Sequence, residues 1–312
     1  MDKTLPRAPL LACILLIFPF VFSSASSAIL QEKDLVTRLS NRDQISRTEI
    51  KELDSDEIET FLHRFDSAIA GDEGRFVRGD GYRFLYLLSL EHPQYQSDVV
   101  DLLVLTGLSD NDPGNRKSVC RYLEDFPEEH FSVSARNRIS SHAIEKDTPF
   151  EEIVRLSARL GLKDLASHYK HLLLSGSVDS STSWTLHVAL GRLGDEKSAR
   201  WCVDQVKKMG MNDQVVHHLV PDLVFIQYKP AIDYLLFAIC RDQQNCSSPN
   251  PDSSARINCA YRLMEVVAPA IKGFPVQTDE SGNLQTNDYE RALERVRDWI
   301  NEHSSDYEMR ES

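Results

Sequence analysis

The chain has 312 residues, with 48 Asp and Glu against 35 Lys and Arg and a formal charge of −13. Such acidity keeps a protein soluble and repels DNA, RNA and anionic membrane surfaces, so nucleic acid is not an expected partner. Thirteen Gly, 13 Pro and many Leu, Glu and Arg fit a helical globular chain better than an all-β or disordered one.

The first 28 residues stand apart. Lys3 and Arg7 give a short basic start, Leu10–Phe22 is an unbroken run of 13 apolar or Pro residues, and Ser26-Ser27-Ala28 supplies small residues at a cleavage position. This three-part pattern is that of a secretory signal peptide over residues 1–28, and the run is shorter than the roughly 17–25 residues a membrane helix needs. "LLAC" at 10–13 resembles a lipoprotein box, but there the apolar run precedes the cysteine, whereas here it follows Cys13. A secreted or periplasmic chain with no stable membrane insertion is expected. Loss of Lys3, Arg7 and Asp2 removes a net +1 and takes the charge from −13 to −14.

Residues 29–75 have dense charge and weak apolar stripes, as suits an N-terminal helical capping region ahead of a domain over 76–312. "YRFLYLLSL" with "SDVVDLLVLTGL", then "RKSVCRYLEDF" with "SARNRISSHAIEKD", predict two helical pairs. The signal sharpens in "ARLGLKDLASHYKHLLL", where Leu162, Leu165, Ala166, Tyr169, Leu172 and Leu173 form one helical stripe. Thirty-three residues on, "ALGRLGDEKSARWCVDQVKKM" places Leu186, Ala189, Leu190 and Leu193 on one stripe. After the turn it places Ala199, Cys202, Val203 and Val206 on a second. Asp195 stands where an N-cap accepts backbone hydrogen bonds, and Lys207-Lys208 lie at the end favoured by the helix dipole.

A further 32 residues on, "KPAIDYLLFAI" repeats the stripe as Ala231, Tyr234, Leu235 and Ala238, with Pro230 in the first turn. The helix before it carries Val216, Leu219, Val220 and Leu223, and Pro221 in its interior predicts a kink. "SARINCAYRLMEVVAPAIKG" and "DYERALERVRDWI" make a terminal pair, the latter with Tyr289, Ala292, Val296, Trp299 and Ile300 as its stripe. A period near 33 with two helices per unit is the mark of a helical solenoid, five or six pairs long between residues 45 and 303.

On these residues the chain resembles the HEAT-like repeats, in the lyase-type variant where a small-Leu-Gly-x-Leu-Gly-Asp turn joins the two helices. Pro221 and Pro269 resemble the kink of the first helix in such units. The resemblance is carried well by residues 149–240 and only by periodicity over 45–148. It departs at two inserts, 241–253 and 273–286, which leave the repeat count open. It implies an all-α fold, an α-α superhelix of right-handed sense, and an interaction surface in place of a named reaction. One helical pair cannot bury its apolar face alone, so stacked pairs share a core and expose extended faces.

Five cysteines follow the leader: Cys120, Cys202, Cys240, Cys246 and Cys259. An exported chain meets an oxidising compartment, and Cys240, Cys246 and Cys259 flank one loop, which pairing of Cys246 with either neighbour would staple. No Cys-x2-Cys spacing or nearby His suggests zinc. His168 and His171 lie three apart on a helix but lack a third ligand, and read as solvated or rim residues. His217 and His218, near Asp222, point about 100° apart and read as surface or groove-lining residues. His142 reads as a satisfied core histidine. "SDNDPGN" at 109–115 lacks the alternating ligands and closing Glu of a calcium loop, and predicts a helix connection. Arg78-Gly79-Asp80 is an adhesion signal only on an exposed loop. Asn245-Cys246-Ser247 matches a glycosylation acceptor that a disulfide at Cys246 would compete with.

No nucleophile elbow, phosphate loop or His-Glu-x-x-His is present, so no catalytic residue, metal or cofactor is assigned. The expected function is a non-enzymatic scaffold binding a protein partner along its second helices, residues 195–209 and 230–240. Arg200, Trp201, Asp204 and Lys207 are the candidate binding residues. Trp201 lies beside its stripe, as an interface aromatic would. The alternative is an enzyme or lyase on the same scaffold, with His168, His171 and His217 sharing a groove.

Overall fold

The computed structural model describes residues 35–69, 75–146, 149–248, 252, 254–279 and 281–310. The leader read at 1–28, including Cys13, lies outside them. The fold is all-α: the strands among the described residues are β1 (Cys246–Ser247) and β2 (Arg256–Ile257), a two-residue antiparallel pair.

The described residues begin with three helices: α1 (Leu35–Ser40), α2 (Arg47–Glu52) and α3 (Ser55–Ile69). α2 starts on a capping box in which the Ser46 hydroxyl accepts from the Glu49 amide and the Glu49 carboxylate accepts from the Ser46 amide. That amide and Arg38 hold the Glu49 carboxyl down at about 2. α4 (Arg75–Glu91) follows, and α1, α2 and α3 each pack on it. α5 (Gln96–Leu102) widens into a π turn over Leu103–Gly107, and α6 (Pro113–Glu124) starts from an Asp112 cap. The remaining helices before the midpoint are α7 (Val133–Glu145), α8 (Phe150–Arg159), α9 (Ala166–Ser175) and α10 (Ser180–Arg192).

Beyond α10 come α11 (Glu196–Met209), α12 (Asp213–His218), α13 (Val220–Phe225), α14 (Lys229–Ile239), α15 (Ala260–Val267) and α16 (Tyr289–His303). Helices two or three places apart in the chain pack together. α4 meets α6, α6 meets α8, α8 meets α10, α10 meets α13, and α13 meets α15. On the other side α5 meets α7, α11 meets α14, and α14 meets α16. Chain neighbours such as α10 and α11 close the layer between the rows.

The α10–α11 turn shows why its sequence takes this form. Gly194 sits at φ 97°, a region a side chain rarely enters, and the matching Gly161 sits at φ 63°. Asp195 then caps α11 by accepting from the Ser198 amide at 3.0 Å. Gly191 is required for another reason, since a Cβ there would lie 3.3 Å from the Ala199 Cα and 3.0 Å from Ile226. The two backbones approach that closely only because both positions are small. The stripe Ala199, Cys202, Val203 and Val206 is buried as the periodicity predicts.

Pro221 does more than kink its helix. It breaks it at Leu219 into α12 and α13, since proline has no N–H to continue the ladder. Pro269 likewise ends α15 in a 3-10 turn over Ala268–Ala270. Two groups of buried side chains form the core, one from Val36 to Leu190 and one from Val188 to Ile300, meeting across α10.

Arginines tie successive helices together at their ends. Arg159 donates to the carbonyls of Leu123 at 3.0 Å and Phe126 at 2.5 Å. Arg192, 33 residues on, donates to the Phe225 carbonyl at 3.2 Å. Both occupy the last turn of a helix in the first row and satisfy carbonyls that a neighbouring helix or turn leaves open.

Candidate functional site

α11 brings Arg200, Asp204 and Lys207 onto one exposed stripe, with side chains between about half and two-thirds exposed. Arg200 donates to the Tyr228 hydroxyl at 3.1 Å and to Glu196 at 2.9 Å. Lys207 stands 3.8 Å from Asp204 and 5.4 Å above the Tyr234 ring of α14. Two apolar side chains continue the surface: Met209 is 57 % exposed, and Phe237 is 53 % exposed with Arg241 4.5 Å above its ring. Cations paired with aromatic faces are thus presented to solvent across α11 and α14. The Arg200 guanidinium is held above its ordinary value by Tyr228 first and by Glu196, so its charge is permanent.

Trp201 does not join that stripe. Its ring stacks on His187 at 3.9 Å and meets Trp184 at 6.0 Å, which leaves it half-buried on the α10 side of α11. Burial pulls the His187 imidazole beneath Trp201 below its usual value. The indole packs on α10 from the flank of α11 and stays part-exposed there.

Phe237, Met209, Tyr228, Tyr234 and Arg241 were not singled out by sequence as site residues. Phe237 carried a readable signal, because it is a large apolar residue off the buried stripe of its helix, whereas Met209 continues the spacing of the α11 stripe and is exposed all the same.

A second constellation lies on the first-row side, around a cavity of about 180 Å³ between α8, α10 and α13. Arg155 donates to Asp222, lies 4.1 Å from the centre of the Phe225 ring, and stands 3.7 Å from Glu124. The Trp184 indole donates to the second Asp222 oxygen at 2.7 Å. Burial raises the Glu124 carboxyl, opposed by Arg155 and Arg159. Asp222, read in sequence beside His217 and His218, is given instead to Arg155 and Trp184. The carboxylates here are taken up by partners within the protein, which makes this a girder between helices α6, α8 and α13.

The histidines fall on different elements. His168 on α9 is half-buried beside Tyr169, its Nε2 without a hydrogen-bond partner among the described residues, and burial lowers its pKa. His171 is exposed one turn away on the same helix, and His217 is exposed on α12. Among the described residues no three His, Cys, Asp or Glu side chains are grouped to hold a metal ion.

Asp110, in the loop that offered acidic residues, is buried and fully engaged. Arg78 donates to it at 2.7 and 3.3 Å, the Tyr82 hydroxyl at 2.9 Å and the Asp112 amide at 2.7 Å. Burial alone would raise this carboxyl, but those bonds hold it below its ordinary value. Arg78-Gly79-Asp80 lies inside α4, so it is not the loop that an adhesion signal requires.

Cys246 pairs with Cys259, leaving Cys120 and Cys202 buried and Cys240 exposed as free thiols. Pairing of Cys246 with Ile257 across β1 and β2 brings the two half-cystines together. A disulfide of this kind belongs to an oxidising environment. The Cys120 and Cys202 thiols are pushed up to about 12 by burial, which makes them inert packing groups. No helix among the described residues is long and apolar enough to cross a membrane. No family model, curated protein or solved structure matches this chain.

Proposed function

We propose that the chain is a HEAT-like scaffold of stacked helical pairs, exported to the periplasm or the medium, that binds a protein partner and performs no chemistry of its own. The partner docks across α11 and α14. The single observation behind this reading is the exposed sequence of cation–aromatic pairs, Arg200 with Tyr228, Lys207 over Tyr234 and Arg241 over Phe237. This surface sets aromatic groups beside cations, of which Arg200 and Lys207 are also paired with Glu196 and Asp204 while Arg241 stands over Phe237. It suits a partner segment bearing carboxylates and apolar side chains, because aromatic and arginine anchors dominate such interfaces. The packing of α4, α6, α8, α10, α13 and α15 in one row supports the repeat reading, as the 33-residue recurrence does.

The test is affinity capture of the tagged chain after cross-linking in its native compartment, beside the triple variant Arg200→Glu, Asp204→Lys, Lys207→Glu. Loss of a dominant partner in the variant is expected. Equal capture by both would sink the assignment of this face. These side chains pair in solvent, so the triple variant should melt close to the parent.

A further inference from the structure

Residues 307–310, beyond α16, fold back against residues 270–272 and pair with them through an isolated antiparallel bridge. The Lys272 amide donates to the Glu308 carbonyl at 2.9 Å, and the Arg310 amide donates to the Ala270 carbonyl at 2.8 Å. Between them Ile271 and Met309 form an antiparallel bridge.

Side chains read the segment as well. The Tyr307 hydroxyl donates to Asp233 at 2.8 Å, and the Lys229 ammonium stands 3.8 Å from the centre of the Tyr307 ring. Burial, then Asp233, raises the Tyr307 phenol, so it stays a donor. Glu308 meets Lys272 at 3.1 Å. Gln227 completes the set. Its backbone sits at φ 53°, a left-handed conformation uncommon for a residue with a side chain, and its side-chain amide Nε2 donates to the Arg310 carbonyl at 2.9 Å.

Beneath this segment the fit is incomplete. A cavity of about 260 Å³ remains, lined by Val224, Phe225, Ile232, Pro269 and Ala270 together with Met309 and Arg310 of the returning segment. A segment held by two main-chain bonds, a tyrosine clamp and a half-filled apolar pocket is the arrangement by which proteins take up an extended peptide by strand addition.

We propose that this surface is an extended-peptide site, held in cis by residues 306–310. Its ligand in trans is an extended segment with a tyrosine, then a carboxylate, then a flexible apolar side chain, the last reaching into the cavity. The chain's own tail competes with that ligand and lowers its apparent affinity by the fraction of time it is seated. The site shares α14 with the Arg200 and Lys207 surface but uses the Lys229 and Asp233 side chains of that helix, and the proposal does not rest on the function argued above.

The probe is a fluorescent peptide of residues 304–312, titrated by polarisation against the full chain and two tail variants. Tyr307→Ala with Met309→Ala removes the clamp and the pocket contact. Arg310→Pro removes the amide that bonds Ala270, outside any helix. Each tail variant is expected to bind the peptide at least tenfold more tightly than the parent. Adding Asp233→Ala to either should weaken that binding at least tenfold. Circular dichroism identifies any variant that fails to fold, and the other then carries the comparison. Tail variants that bind no better than the parent, or binding indifferent to Asp233→Ala, would overturn the proposal.

Discussion

In the N-terminal core, Phe61, Phe65 and Phe84 meet edge to face, with centroids 4.8 and 5.7 Å apart, and Tyr82 joins them while its hydroxyl reaches the buried Asp110. In the C-terminal core the corresponding reinforcement is covalent and peripheral. Cys246–Cys259 staples the insert, and the tail pairs with residues 270–272. The two cores meet across α10, which sends Leu186, Ala189 and Leu190 into one and Val188 into the other. The N-terminal core is thus reinforced from within by large aromatics and a satisfied buried carboxylate, whereas the C-terminal core adds to its own aromatic pairs a disulfide and a hydrogen-bonded return of residues 308–310.

That contrast can be broken at either end. Tyr82→Ala should have the largest effect, about 4 kcal/mol, since it empties a fully buried aromatic site and removes a donor from Asp110. Denaturant unfolding measures it, and a cost below about 1 kcal/mol would mean the aromatic cluster is dispensable. Replacing both Cys246 and Cys259 by Ser should cost about 3 kcal/mol by freeing the loop they close. Reductant should then destabilise the parent but leave the double variant unmoved.

Asp110→Asn should cost about 2 kcal/mol at neutral pH and should also change the shape of the acid limb. The folded carboxyl lies below its unfolded value, so its stabilisation is full above roughly pH 4 and is lost as pH falls through the folded value. Melting temperatures from pH 7 down to pH 2 should therefore fall less steeply in the variant. A parallel decline would show that the carboxylate does not carry the acid sensitivity. The smallest effect is expected where the cores meet: Gly194→Ala forces a side chain into φ 97° and should cost about 1 kcal/mol.

Much of the fold was legible from residues 149–240 because amphipathic stripes and turns are local properties. Ala199, Cys202, Val203 and Val206 are buried as their spacing requires, and Asp195 caps as its type requires. The break at Pro221 was legible as a kink but not as two helices. The candidate site was less legible. A helical wheel identifies Arg200, Asp204 and Lys207 as outside the stripe, but it cannot distinguish the solvent side from the flank that another helix covers. Trp201 is adjacent to the stripe, and the neighbouring α10 decided its surroundings by supplying His187 and Trp184.

By itself the sequence determined the helical class, the near-33-residue recurrence and the loop that would carry a disulfide, all of which follow from periodicity, turn chemistry and residue type. The tertiary structure alone decided that Cys246 pairs with Cys259, that Asp110 is a buried anchor, that Asp222 serves Arg155, and that the tail returns to residues 270–272. Each of these except the disulfide joins groups more than 30 residues apart or on separate elements. Their meeting depends on how helices stack, and no local pattern encodes that. The disulfide choice depended on the register of β1 against β2, which two short strands reveal only once they are paired.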